Sequence, residues 1–204
     1  MSALAHSSRP VLYGDRARWA LLHGDSLALL PLLPDHSVDV VLCDPPYGIS
    51  IVGQAWDGRY LGEPEGFQAF TATWAREVGR ILRPGGYVAA FGAPRTVHRL
   101  VAGIEDAGLD VRDQLLWLYG SGAPKSRRLE YGLGTALKPS YEPIVLARAP
   151  LEPGLSVTAN LERHGTGALD ISATAVPRPP HERRSTRQPG FWPANLVLSP
   201  RAGM

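Results

Sequence analysis

The sequence predicts an α/β domain built on a mainly parallel sheet. Three observations carry this. Short β-branched or apolar runs alternate with helix-period segments over residues 19–118, the helical segments end in proline or glycine, and the run Val38–Cys43 is too apolar for a strand with one wet face.

Taken in order, Trp19–His23 reads as a short strand, followed by Gly24-Asp25 and an apolar helix over Ser26–Leu33. Val38–Cys43 reads as a buried parallel strand. Phe67–Leu82 places Phe67, Phe70, Trp74, Val78, Ile81 and Leu82 at helical spacing and stops at Arg83-Pro84-Gly85-Gly86. Tyr87–Phe91 is a further strand, Arg95–Ala107 a helix ending at Gly108, and Val111–Tyr119 another strand. Beyond residue 120 the chain is rich in Gly, Pro and Arg, and only Pro143–Ala149 and Asn195–Ser199 read as strands. This divides the chain into an N-terminal extension (1–18), an α/β portion (19–119) and an irregular region (120–204).

Composition narrows the classes. With 204 residues and 44% hydrophobic content, one domain with a full core is expected. The charge balance, 21 basic against 19 acidic residues, gives no global polyelectrolyte signal. It hides a basic stretch after residue 171, where Arg178, Arg183, Arg184, Arg187 and Arg201 face a single acid, Glu182. Such a stretch suits a phosphate backbone or a solvated loop. Cys43 is the only cysteine, which fits a reducing compartment, and its place in an apolar run suits a buried thiol. No signal-peptide core and no membrane-length apolar run is present, so a soluble, cytoplasmic chain without membrane partners is expected. The six histidines lack metal-ligand spacing, so no metal is expected. A serine-hydrolase elbow, a phosphate loop and a nicotinamide fingerprint are absent too.

In open α/β sheets, ligands bind beyond the carboxyl ends of strands. Here those positions are Asp25, Asp44-Pro45-Pro46-Tyr47, Gly92 and Gly120. The tetrapeptide is the informative one, arising by chance in roughly one chain per thousand of this length. Each residue suits one task. The amine of a nucleobase is a poor nucleophile because its lone pair is delocalised into the ring. Acceptors held out of the ring plane favour a pyramidal nitrogen that can attack. The Asp44 carboxylate is one such acceptor and the Pro45 carbonyl the second, aimed by the restriction Pro46 places on Pro45. Tyr47 offers a flat face for a base drawn out of its duplex. The alternative for Asp44 is a turn-initiating Asp-Pro.

Asp44-Pro45-Pro46-Tyr47 resembles the catalytic motif of amino-directed DNA methyltransferases. The preceding Gly24-Asp25 and Ser37-Val38-Asp39-Val40-Val41 are similar to members whose catalytic half comes first, and Ile81–Gly86 resembles the helix-to-strand turn of class I methyltransferases. Trp117–Lys125, Leu137-Lys138-Pro139, His164–Leu169 and Trp192–Asn195 resemble a phage-type branch. The resemblance implies a class I, Rossmann-like S-adenosylmethionine-dependent methyltransferase fold in permuted order. It implies double-stranded DNA with a flipped base as substrate and S-adenosylmethionine as donor. Asp44, Pro45, Pro46 and Tyr47 would be catalytic, Asp25 would contact the adenosine of the cofactor, and Asp44 and Pro45 would adjoin it. An aspartate opening the motif points to adenine N6 over cytosine N4.

One expected motif is missing. None of Phe67, Phe70, Phe91 and Phe191 is followed by x-Gly-x-Gly, the strand and turn that hold the methionine part of the cofactor in this permuted order. The resemblance therefore implies an incomplete fold, truncated, frameshifted or split from a separate chain that supplies the cofactor-binding half. Two strands would be lacking between the Trp19 and Val38 strands, leaving the Val38 strand an exposed apolar edge. Trp56-Asp57 falls where relatives close a loop over the base, or where a tryptophan merely packs. Lys125, Arg127, Arg128 and Lys138 are candidates for phosphate contacts or for a solvated basic surface.

Overall fold

The computed structural model describes residues 11–13, 20–49, 57, 64–120, 122, 129–177 and 190–199. The first strands, β1 (Val11–Tyr13) and β2 (Leu21–His23), pair antiparallel in a small sheet of their own. Asp25 then opens α1 (Ser26–Leu29), which tightens into a 3-10 turn over Leu30–Leu32. The α and 3-10 turns together cover the helix expected over Ser26–Leu33 except for Leu33, which caps it. Pro31 has no N–H to donate back to the preceding turn.

β3 (Val38–Cys43) follows, and α2 (Pro64–Ile81) carries Phe67, Trp74, Ala75, Val78 and Ile81 into the core. This helix passes without a loop into β4 (Leu82–Phe91), then come α3 (Val97–Asp106), β5 (Asp110–Leu118) and β6 (Tyr141–Arg148). α4 (Val157–His164), the short pair β7 (Val176–Pro177) and β8 (Gly190–Phe191), and β9 (Leu196–Leu198) complete the described elements.

The main sheet has the order β3-β4-β6-β5-β9. Its outer pairs, β3/β4 and β5/β9, are parallel, whereas β4/β6 and β6/β5 are antiparallel. The sheet is thus mixed, not mainly parallel as the sequence predicts. The chain after β5 returns as β6 and inserts between β4 and β5, which reverses both pairings there. α2 and α3 pack on one face, over Val88 and Ala90 of β4 and Val145 and Ala147 of β6, which stand directly opposite one another. Among the described strands, β3 lies at the edge of this sheet. Val41 and Cys43 reach the core, but Val40 is 62% and Leu42 71% exposed. The expectation of a strand buried on both faces is therefore corrected, and the apolar edge expected from the missing motif is present. Among the described residues, no helix is long and apolar enough to cross a membrane.

The start of β4 explains a segment that sequence periodicity leaves unread. Pro84-Gly85-Gly86 forms a bulge, with the β3 register jumping from Val38↔Leu82 to Val40↔Tyr87. The bulge leaves the Pro84 carbonyl inside the protein. Fully buried Asn160 of α4 donates to it at 2.8 Å and Thr166 Oγ1 donates at 2.6 Å. Asn160 also donates to the Thr166 carbonyl and accepts from the Glu152 N–H, so its amide is well satisfied. Gly85 has φ +81, and a Cβ there would lie 2.7 Å from Asn160 Nδ2. Asn160 and Thr166 thus fasten the helix-to-strand turn.

Candidate active site

Asp44-Pro45-Pro46-Tyr47 lies where β3 stops, at the carboxyl edge of the sheet. With no N–H on either proline, the segment leaves the ladder and must be held by other groups. Among the described residues, two side chains and a tight turn hold it. The carboxylate of Asp57, 0% exposed, accepts from the N–H groups of Tyr47 (2.7 Å), Gly48 (2.8 Å) and Ile49 (3.1 Å). Successive N–H groups turned inward form a concave anion site, and Asp57 fills it. On the other side Thr96 Oγ1 donates to the Tyr47 carbonyl at 2.6 Å. Thr96 is the N-cap of α3 yet makes no side-chain cap bond, so a hydroxyl commonly worth about 1 kcal/mol to a helix is spent on the motif. Gly48 closes the turn at φ +66 against the Phe67 ring, where a Cβ would come within 3.0 Å.

Asp44 itself is exposed, its carboxylate available at the sheet edge. Burial pushes the Tyr47 phenol well above the usual tyrosine range. A hydrogen bond to Asp44 and the charges of Glu142 and Asp44 add to the effect. Burial and then Glu142 raise Tyr119 as well. Burial and the nearby carboxylates thus favour the neutral form of both rings. Trp117, Tyr119, Glu142 and Ser199 line a cleft of about 340 Å³ at the same edge, with Trp117 set edge-on to Phe91 at 5.6 Å between ring centres. A larger cavity, about 770 Å³, lies at the opposite end of β4 around Pro84 and Glu152. Glu152 there is already paired with Arg163 and His164, so that cavity offers the motif nothing.

Burial, reinforced by Asp44, pushes the Cys43 thiol up to about 12. A free thiol near 8.5 is substantially ionised at pH 8, and a thiol near 12 is not. Alkylation of Cys43 by iodoacetamide at pH 8 is expected to run about a thousandfold slower than that of a free cysteine. Modification at the free-thiol rate in the folded chain would contradict this burial.

The other residues singled out in the sequence divide. Asp25 caps α1, accepting from the Leu27 N–H at 2.9 Å, and it follows a strand outside the sheet that carries Asp44. Lys138 Nζ donates to the Gly120 carbonyl at 2.9 Å, tying the end of β5 to the strand that returns. Trp56, Lys125, Arg127, Arg128 and the arginines from Arg178 to Arg187 lie outside the described residues, as does Arg201. The anchoring role of Asp57 is the one that sequence reasoning misses. Its signal there is no more than its place beside Trp56, ten residues beyond Tyr47.

These residues fit one half of a methyl-transfer site. The acceptor side has an exposed carboxylate on a rigid turn with neutral aromatic rings nearby. The donor side is incomplete: among the described residues no Gly-x-Gly turn follows β4, the strand beside β3, and Asp25 stands on a separate sheet. The fold is Rossmann-like, of the class I kind. The resemblance in fold is to the cytosine-N4-specific PvuII DNA methyltransferase, with TM-score 0.56 and 16% identity over 88% of this chain and 56% of that one. The chain belongs to the DNA methylase family N6_N4_Mtase, which matches residues 38–188. It is 22% identical to the type II methyltransferase M.HindIII of Haemophilus influenzae, over 72% of this chain and 63% of that protein. TTHA0409 of Thermus thermophilus, described as a DNA modification methylase, aligns with TM-score 0.47 and 22% identity over 69% of this chain and 56% of that one. The chain therefore spans less than two thirds of the length of these relatives.

Proposed function

We propose that this chain holds and orients the exocyclic amine of a DNA base, adenine N6 in the first place, for methylation with S-adenosylmethionine as donor. The observation that carries the reading is the Asp44–Tyr47 turn, anchored at Tyr47 through Asp57 and Thr96 while the Asp44 carboxylate stays exposed. When bound, the donor supplies a methyl group made electrophilic by its sulfonium. The protein's own work is on the amine. Asp44 and the Pro45 carbonyl accept its two N–H bonds out of the ring plane, which turns the nitrogen lone pair toward the incoming carbon. The base stacks on Tyr47, which must then exchange its hydroxyl contact with Asp44 for the substrate. The aryl ammonium formed is acidic and loses its proton readily, so no strong base is required. Reaching the amine requires the base to leave the helix.

The test is transfer of labelled methyl groups to duplex DNA followed by separation of the modified nucleosides. Label in N6-methyladenine is the expected result. Label in N4-methylcytosine would move the assignment to the other amine of the family, and label only in RNA or protein would overturn it.

A further inference from the structure

We propose that the turn between β5 and β6 with Tyr131 at its tip is a wedge for duplex DNA, the ring filling the gap that the extracted base leaves behind. The proposal rests on the methyl-transfer reading above, which takes a base out of its helix, and names the residue that takes that base's place.

The turn springs from the edge of the sheet where the motif lies. β4 and β5 both run antiparallel to β6, so β5 is parallel to β4 and, through it, to β3. The chain beyond Leu118 therefore leaves the carboxyl edge that carries Asp44–Tyr47. It also returns there. The Gly92 N–H beyond β4 donates to the Pro143 carbonyl at 3.0 Å, and the Tyr119 N–H to the Ser140 carbonyl at 2.9 Å. Lys138 adds its bond to the Gly120 carbonyl, and a Cβ on Gly122 would lie 2.1 Å from the Pro139 carbonyl oxygen. The root of the excursion is thus clamped.

Its tip is apolar and stands in water. Tyr131 is 95%, Leu133 62% and Leu137 92% exposed. The Leu129 N–H donates to the Leu133 carbonyl at 2.8 Å and the Leu133 N–H to the Glu130 carbonyl at 3.3 Å, closing a tight turn around Tyr131. Tyr131 holds φ +59, a left-handed conformation that bulky side chains rarely adopt. Strain of this kind clusters where a side chain is held ready for use. Here it displays an aromatic ring and buries nothing.

Shape and charge identify the occupant. An extracted base leaves a slot one base thick, about 3.4 Å, between two base faces. A single aromatic ring fills that slot and stacks on whichever bases border it. Proteins that open base steps do so with inserted apolar side chains. In sequence the connection carries Lys125, Arg127, Arg128 and Lys138 against one acid, Glu130, a balance suited to phosphates. An apolar protein partner would leave that charge unmatched.

The experiment titrates the full chain with two duplexes of one sequence at one salt concentration. One is intact, and the other has a central abasic site whose gap is already open, with 2-aminopurine beside it to report stacking. The abasic duplex should bind at least about tenfold tighter, with the 2-aminopurine quenched. Tyr131→Ala should bring the two affinities within about twofold of each other and leave the circular dichroism unchanged, because the ring is already in water. Tyr131→Phe should keep the preference, since stacking needs no hydroxyl. Equal affinity of the parent for both duplexes would overturn the proposal. So would a preference that survives Tyr131→Ala or disappears in Tyr131→Phe, or failure of the folded chain to bind DNA. A preference for the abasic duplex with no methylated base formed would count against the amine reading alone. Methylation of duplex DNA by Tyr131→Ala at the parent rate would count against the wedge alone.

Discussion

Asp44→Ala is expected to cut methyl transfer by about 100- to 1,000-fold, the range seen when one preorganised electrostatic partner of a reacting group is removed. The fold should survive the change. Asp44 is exposed, and the half-buried Tyr47 hydroxyl that hydrogen-bonds to it can turn to water instead, so its loss strands no fully buried group. A stability change within about 0.5 kcal/mol is expected, read as an unchanged melting midpoint. Asp44→Asn separates geometry from charge. It keeps one oxygen at the same reach and should retain more activity than alanine. Because the lost interaction strengthens as the nitrogen pyramidalises, the defect should fall on kcat, with DNA binding little altered. A folded Asp44→Ala protein that turns over normally would remove the carboxylate from the mechanism.

The Asp44–Tyr47 turn is legible in the sequence because four consecutive residues carry it, and a strand signal precedes them. The alternation of elements was legible for the same reason, being local. What escaped was long-range. The antiparallel insertion of β6 depends on which strand it meets in space, and its period-2 pattern is the same for either direction. α4 was missed because Val157–His164 buries chiefly Asn160, a polar residue, and so shows no apolar stripe. The function of Asp57 was hidden because its partners are backbone N–H groups, which every sequence has and no motif marks. The exposed edge of β3 follows from a motif's absence, and only coordinates could say which residues stand open along it.

Asp57→Ala is expected to damage stability and catalysis together, in contrast to Asp44→Ala. The substitution strips the acceptor from the N–H groups of Tyr47, Gly48 and Ile49 at once, and that of Gly48 is buried. Hydrogen bonds to a charged group contribute about 1.5–3 kcal/mol each, and an orphaned buried donor costs a similar amount. Allowing for water reaching the two partly buried amides, a net loss of about 3 kcal/mol is expected. For a chain of this size that lowers the melting midpoint by about 6–12 °C. The surviving folded fraction should be slow as well, because the turn that aims Asp44 and the Pro45 carbonyl has lost one of its two anchors; a misplacement of about 1 Å costs about 100-fold. Asp57→Asn distinguishes positioning from mere stability. Oδ1 accepts from both Tyr47 and Gly48, so the amide oxygen of asparagine can keep those two bonds while the bond from Ile49 is lost. Asparagine should therefore recover most of the melting midpoint and much of kcat. An Asp57→Ala chain that is fully folded and as active as the parent would show that the motif holds its shape without the carboxylate, leaving Thr96 as the anchor that matters.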